Sequence, residues 1–177
     1  MASPAAVPAL ARLWSDGEWT RVRAGHVTQN MDDKWNAFVE RDRLFLHRSW
    51  TGRGVYEARF TRTDTHWRIT EAVVENDPRS YRRGSDETES LCLELIIESV
   101  LLHRFRQREW QRWRETATRD LLAAGVPPGR LYEGEAEVLM DRDGRFVDLQ
   151  QVREFELAVW LHLCIGNRRG QPVSDAE

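Results

Sequence analysis

The alternation between Lys34 and Val74 restricts the fold of this chain more than any other feature. Trp35, Ala37 and Val39 alternate with Lys34, Asn36 and Glu40, and only Phe38 interrupts the polar side. Leu44, Leu46, Arg48 and Trp50 share one face of a second segment, with Phe45, His47 and Ser49 opposite. Tyr56, Ala58 and Phe60 repeat the pattern in Val55–Thr61, and Trp67, Ile69 and Val73 repeat it in His66–Val74. Side chains two apart face the same way only in a strand. The connections at Arg41-Asp42, Thr51–Gly54 and Thr63-Asp64 are too short for a crossover helix. The segments 34–40, 43–50, 54–61 and 66–74 are therefore expected to be antiparallel neighbours.

The flanking segments complete an α+β reading: an antiparallel β-meander of four to six strands packed on a long central helix and a C-terminal helix. Glu18–Ala24 (EWTRVRA) alternates weakly and is read as a first strand. The loop ENDPRSYRRGSDE leads to Ser85 or Asp86 as a helix cap, with Glu87 and Glu89 in the first turn. LCLELIIESVLL is apolar on most sides and is expected to be buried. The helix is expected to continue through Trp110, Trp113, Ala117 and Leu121 until Gly125 and Pro127-Pro128-Gly129 end it. A hairpin over Glu135–Met140 and Arg145–Leu149 follows, then a helix from about Gln150 to Ile165. Residues 1–12 read as a flexible N-terminal tail, 13–170 as a single domain and 171–177 as a C-terminal tail.

Composition narrows the function. The net charge of −3 over 177 residues means that any basic site is a local patch. The chain has no run of apolar residues long enough for a membrane span. MASPAAVPALARLW lacks the charged start and continuous apolar stretch of a signal peptide, so the expected location is the cytoplasm. Cys92 and Cys164 sit in apolar helical contexts and read as buried thiols. The five histidines lack metal-ligand spacing, and a calcium loop starting at Asp141 would put Arg145, Leu149 and Val152 at later ligand positions. No metal and no cofactor are expected.

The candidate site lies in Asp32–Gly54. Of 26 basic residues Lys34 alone is lysine. Lysine offers a compact ammonium that can act as a nucleophile when desolvated, and arginine cannot. Leu44 and Leu46 should point into the core and carry Arg48 with them. A guanidinium at a core edge must be paired or hydrogen-bonded. One reading pairs Arg48 with Glu57 or Glu71. The other opens the core face into a pocket, with Arg48 and Trp50 on its rim to take phosphate or carboxylate. Thr51-Gly52-Arg53-Gly54 reads as a hairpin turn whose amides and Arg53 could cover a phosphate. His47 and Ser49 are two apart on one strand, with no nucleophile elbow to make them a catalytic pair. A second patch, Arg104, Arg106, Arg108, Arg112, Arg114 and Arg119 around Trp110 and Trp113, mixes with Glu109, Glu115 and Asp120 and reads first as a solvated, ion-paired face.

The phrase K-W-x-x-F, then L-x-L-H-R-S-W-T-G, spans residues ~32–60 and resembles small uncharacterised bacterial proteins carrying the same KW…HRSWTG signature. The resemblance implies that Lys34, Trp35, His47, Arg48, Ser49, Trp50 and Gly52 act as one unit. Lys34-Trp35-Asn36-Ala37 also bears a remote, degenerate likeness to the nucleotidyltransferase/ligase family, whose K-x-D-G motif would place aspartate and glycine where Asn36 and Ala37 stand.

The expected function is a binding domain for a phosphate-bearing ligand, such as a nucleotide, ADP-ribose or an RNA end. The expected ligand-binding residues are Lys34, His47, Arg48, Ser49, Trp50, Gly52 and Arg53. The expected partner is a phosphorylated small molecule or nucleic-acid end, with no membrane. Two other readings stand beside it: a protein–protein interaction module using a Trp/Arg-rich surface, and an enzyme acting on a phosphorylated ligand.

Overall fold

A computed structural model of the chain describes residues 1–8, 10–29, 33–81 and 83–123, together with Leu139–Met140 and Phe146–Val147. One antiparallel sheet contains β1 (Pro4–Ala6), β2 (Trp35–Glu40), β3 (Arg43–Arg48), β4 (Gly54–Arg62) and β5 (Trp67–Glu75), in the order β1-β5-β4-β3-β2. Three helices, α1 (Asp16–Ala24), α2 (Asp86–Ile96) and α3 (Gln107–Ala123), accompany it, so the class is α+β. β6 (Leu139–Met140) pairs antiparallel with β7 (Phe146–Val147), within the stretch read as a hairpin. The helix expected over 150–165, the tail at 171–177 and Cys164 lie outside the described residues.

The alternating residues build the core. Ala37, Leu44, Leu46, Ala58, Phe60 and Ile69 face inward and are buried in one cluster with Trp14, Leu93, Ile96, Ile97 and Trp113. Leu46 pairs with Tyr56 and His47 with Gly54, so Val55 is an extra residue in β4. That bulge lets the consecutive Val55 and Tyr56 both be buried. No helix among the described residues is long and apolar enough to cross a membrane.

Three segments depart from the sequence reading. Glu18–Ala24, expected as a strand, belongs to the helix α1. The Ser15 hydroxyl accepts the Glu18 N–H at 3.2 Å, and the Glu18 carboxylate accepts the Ser15 N–H at 2.6 Å. This capping box satisfies two end donors and starts the helix, whose buried Trp19 and Val22 lie three apart. The single long helix is broken. After α2 the chain makes a π-turn at Ile97–Leu101, leaves the helix at Leu102, and passes through His103 with φ 54° before α3. The fully buried Glu98 accepts from Arg12 Nε and Trp14 Nε1, each at 3.1 Å, which anchors the π-turn to the segment before α1. The residues 103–106 (HRFR) supply no apolar stripe to continue a helix along the core.

The third departure is at the N-terminus. Pro4–Ala6, expected within a flexible tail, is the edge strand beside β5, with Ala5 opposite Val74. The buried Glu75 carboxylate accepts backbone N–H groups from Ala2 at 2.5 Å and from Ser3, Asn76 and Asp77 at 2.9 Å each. Val7 and Leu10 then enter the core. A short strand containing proline suits a sheet edge, where an N–H is dispensable.

Gly25 joins α1 to the β2 edge. Its φ of 70° and ψ of −169° are open essentially to glycine alone. A Cβ there would stand 2.5 Å from the Ala37 carbonyl oxygen, which accepts the His26 N–H at 2.9 Å. Gly25→Ala should therefore lower stability by about 2 kcal/mol or more, read as a fall in urea midpoint with unchanged slope.

Candidate functional site

The β2–β3 hairpin sets the site. It turns at Arg41-Asp42, with Arg41 at φ 59°, and pairs without a register shift to Trp35 opposite Arg48. The ladder runs one step further, because Ser49 N–H donates to the Lys34 carbonyl at 3.1 Å. Lys34 and Arg48 therefore lie at the same end of the sheet, as the hairpin reading requires.

Each cation sits on an indole. The Arg48 guanidinium lies 3.9 Å from the Trp35 ring centroid, and the Lys34 ammonium lies 4.1 Å from that of Trp50. Lys34 is only 4% exposed, whereas Trp50 is 59% exposed and covers it. Trp35 is fully buried, and its Nε1–H has no hydrogen-bond partner among the described residues. A buried donor without a partner costs about 1–3 kcal/mol, which an acceptor placed beside it would recover. Glu57 and Glu71, the acids proposed as structural partners for Arg48, pair instead with Arg43 and Arg59.

The turn after β3 is tightly held. Arg48 N–H donates to the Arg53 carbonyl at 2.9 Å, and Gly52 N–H donates back to the Arg48 carbonyl at 2.8 Å. Gly52 adopts φ 65°, which its lack of a Cβ permits. The Ser49 hydroxyl donates to the Asp33 carbonyl at 2.6 Å. His47 Nδ1 bonds the Gly52 carbonyl at 2.8 Å, a contact that requires the proton on Nδ1. The His47 ring also lies 5.2 Å from Phe38, on the strand face opposite Arg48. His47, Ser49 and Gly52 thus shape the turn, while Arg48 on Trp35 and Lys34 on Trp50 make two cation–indole contacts at this end of the sheet. Arg53 reaches sideways, to the Arg79 carbonyl at 3.3 Å and the Ser80 hydroxyl at 3.4 Å.

Sequence reading missed the buried layer beside this cluster. Tyr81 lies 5.8 Å from the Arg48 guanidinium, and the Tyr56 ring lies 6.0 Å from that of Trp35. The Tyr56 and Tyr81 hydroxyls are 2.9 Å apart, and both bond Glu89 Oε2, Tyr81 at 3.0 Å. Glu89 Oε1 accepts the Gly84 N–H at 2.5 Å. Burial raises the Glu89 carboxyl above its ordinary range, against the lowering effect of the tyrosine and Gly84 bonds. The available signal was spacing: Glu89 stands four and seven residues before Leu93 and Ile96, on the most buried stripe of α2.

The arginine-rich face of α3 is ion-paired. Arg112 and Arg119 reach Glu87 at 2.7 and 3.6 Å, and Arg106 reaches Glu109 at 2.8 Å. Among the described residues no group of three or more His, Cys, Asp or Glu side chains could hold a metal ion.

Fold and site together define an α+β domain with paired cation–indole contacts at one sheet end. Comparison with known protein families, with curated proteins and with solved structures gives no match.

Proposed function

We propose that the chain is a binding domain for a phosphate-bearing ligand, held at the sheet end by Arg48, Lys34 and the Trp35 indole N–H. The carrying observation is the Arg48 stack on Trp35, whose buried Nε1–H has no partner among the described residues. A guanidinium is planar and presents its N–H donors in a fork that matches the geometry of an oxoanion. Lys34 on Trp50 adds a second positive charge at the same end. Positive charge gathered at one sheet end favours binding of an anion there.

The test is calorimetry and thermal shift with ATP, ADP-ribose and a short RNA, on wild type and Arg48→Ala. Binding should weaken with added salt, and Arg48→Ala should lose roughly tenfold or more of it. Arg48→Lys, which keeps the charge and loses the planar fork, should recover only part. An absence of binding by all three ligands, or binding indifferent to Arg48, rejects the proposal.

One observation favours the second reading, a protein-interaction surface. Phe38 is 42% exposed and stacks on Phe45 at 5.0 Å, on the strand face opposite Arg48. A partner docking there would be weakened by Phe38→Ala with anion binding unchanged.

A further inference from the structure

Trp50 stands apart from the other tryptophans. Among the described residues Trp14, Trp19, Trp35 and Trp113 are buried, Trp67 and Trp110 are half-buried, and Trp50 alone is exposed. It is no loose side chain on a mobile tip. Its turn is fixed by the Arg48–Arg53, Gly52–Arg48 and His47–Gly52 hydrogen bonds and tied to β2 through Ser49, which bonds the Lys34 and Asp33 carbonyls. One face of the indole lies against the buried Lys34 ammonium, and the residue as a whole is 59% exposed, which leaves the opposite face to solvent. A rigid, solvated ring held one-sidedly on a cation is a platform for a second flat ring. The ammonium beneath draws π density toward itself, which favours an electron-rich ring stacked in offset fashion above.

From this platform we infer that the ligand is a nucleoside phosphate, its base stacked on the solvent face of Trp50 and its phosphate turned round the indole edge to Lys34 and Arg48. The inference rests on the anion-binding reading and adds the base to it. An indole recognises a ring face and no particular base edge, so stacking of this kind tolerates different bases. Specificity would be for the pairing of ring and phosphate within one small molecule.

The experiment compares AMP, ribose 5-phosphate and inorganic pyrophosphate by calorimetry, on wild type, Trp50→Ala and Trp50→Phe. Trp50 is exposed, so both variants should melt within a few degrees of wild type. AMP should bind wild type roughly tenfold more tightly than ribose 5-phosphate. That ratio should fall to about one in Trp50→Ala and persist in Trp50→Phe. If ribose 5-phosphate or pyrophosphate binds as well as AMP, the base has no platform; this inference fails while the anion reading stands. If none of the three binds, both fail. If only an oligonucleotide binds, the site recognises a strand and the small-molecule inference is overturned.

Discussion

Leu95→Asp should leave this chain unable to fold. Leu95 is 3% exposed in α2, amid the buried Leu91, Cys92, Leu93 and Ile96. Losing the leucine side chain forfeits about 1.5–3 kcal/mol of burial. An ionised carboxylate there, without a built partner, costs several kcal/mol more. Domains of this size hold only about 5–15 kcal/mol in total. The expected result is loss of the cooperative melt, followed by far-UV circular dichroism and calorimetry. Leu95→Met, which conserves volume, should melt cooperatively within about 1.5 kcal/mol of wild type. A soluble Leu95→Asp protein with a sharp transition would contradict the placement of α2.

Glu89 should make stability fall toward alkaline pH, and Glu89→Gln should remove that fall. Three oxygens, those of Tyr56, Tyr81 and Glu89, form a closed triangle of contacts. A protonated Glu89 lets each group donate once around the ring: carboxyl to Tyr56, Tyr56 to Tyr81, Tyr81 to carboxyl. An ionised Glu89 supplies no donor, and the contact between the two tyrosines loses its hydrogen. Burial raises Glu89 above its ordinary value of 4.5, with the hydrogen bonds of Tyr56, Gly84 and Tyr81 opposing. A carboxyl raised on folding contributes stability that is fully present below the unfolded value and lost as pH rises through the folded value. Wild type should therefore lose ground to Glu89→Gln as pH climbs from about 4.5, the unfolded reference for glutamate. Equal pH profiles for the two proteins, from urea titrations, would reject the protonated triangle. Glu89→Ala strands two hydroxyls and the Gly84 N–H, and should cost about 3 kcal/mol or more at neutral pH.

Glu18 gives the opposite slope in acid. Burial pushes it up, but the Ser15 and Arg104 hydrogen bonds outweigh this and it is lowered to about 2. A lowered carboxyl contributes stability above the unfolded value that is lost as pH falls toward the folded one. The acid limb should accordingly run from about 4.5 down to about 2.

The sheet was legible because its signal is local. Leu44 and Leu46 alternate with Phe45, and the two-residue turn at Arg41-Asp42 leaves one pairing that puts both leucines inside. That hairpin brings Lys34 and Arg48 to one sheet end, which could be read without coordinates; that Arg48 stands opposite Trp35 came from the structure. The α2 cap was narrowed to Ser85 or Asp86, and Ser85 supplies the acceptor that the first amides need. In α1 two local signals conflict: EWTRVRA alternates weakly like a strand, but the Ser15–Glu18 capping box starts a helix and wins.

By itself, then, the sequence determined the strand faces and the burial of α2, which follow from periodicity within a few residues, while the registers with their bulges at Leu46/His47 and Arg59/Phe60 came from the structure. Only the tertiary structure decided where the long helix breaks, because the π-turn depends on Glu98 meeting Arg12 and Trp14, more than 80 residues away. It also decided that Pro4–Ala6 is a strand, since β5 supplies the partner and Glu75 the anchor. The same holds for the site. Lys34 and Trp50 are 16 positions apart, and Tyr56, Tyr81 and Glu89 come from three segments. No local pattern encodes such meetings. Close packing brings those groups together, and the cost of burying an unpaired polar atom then fixes which contacts they make.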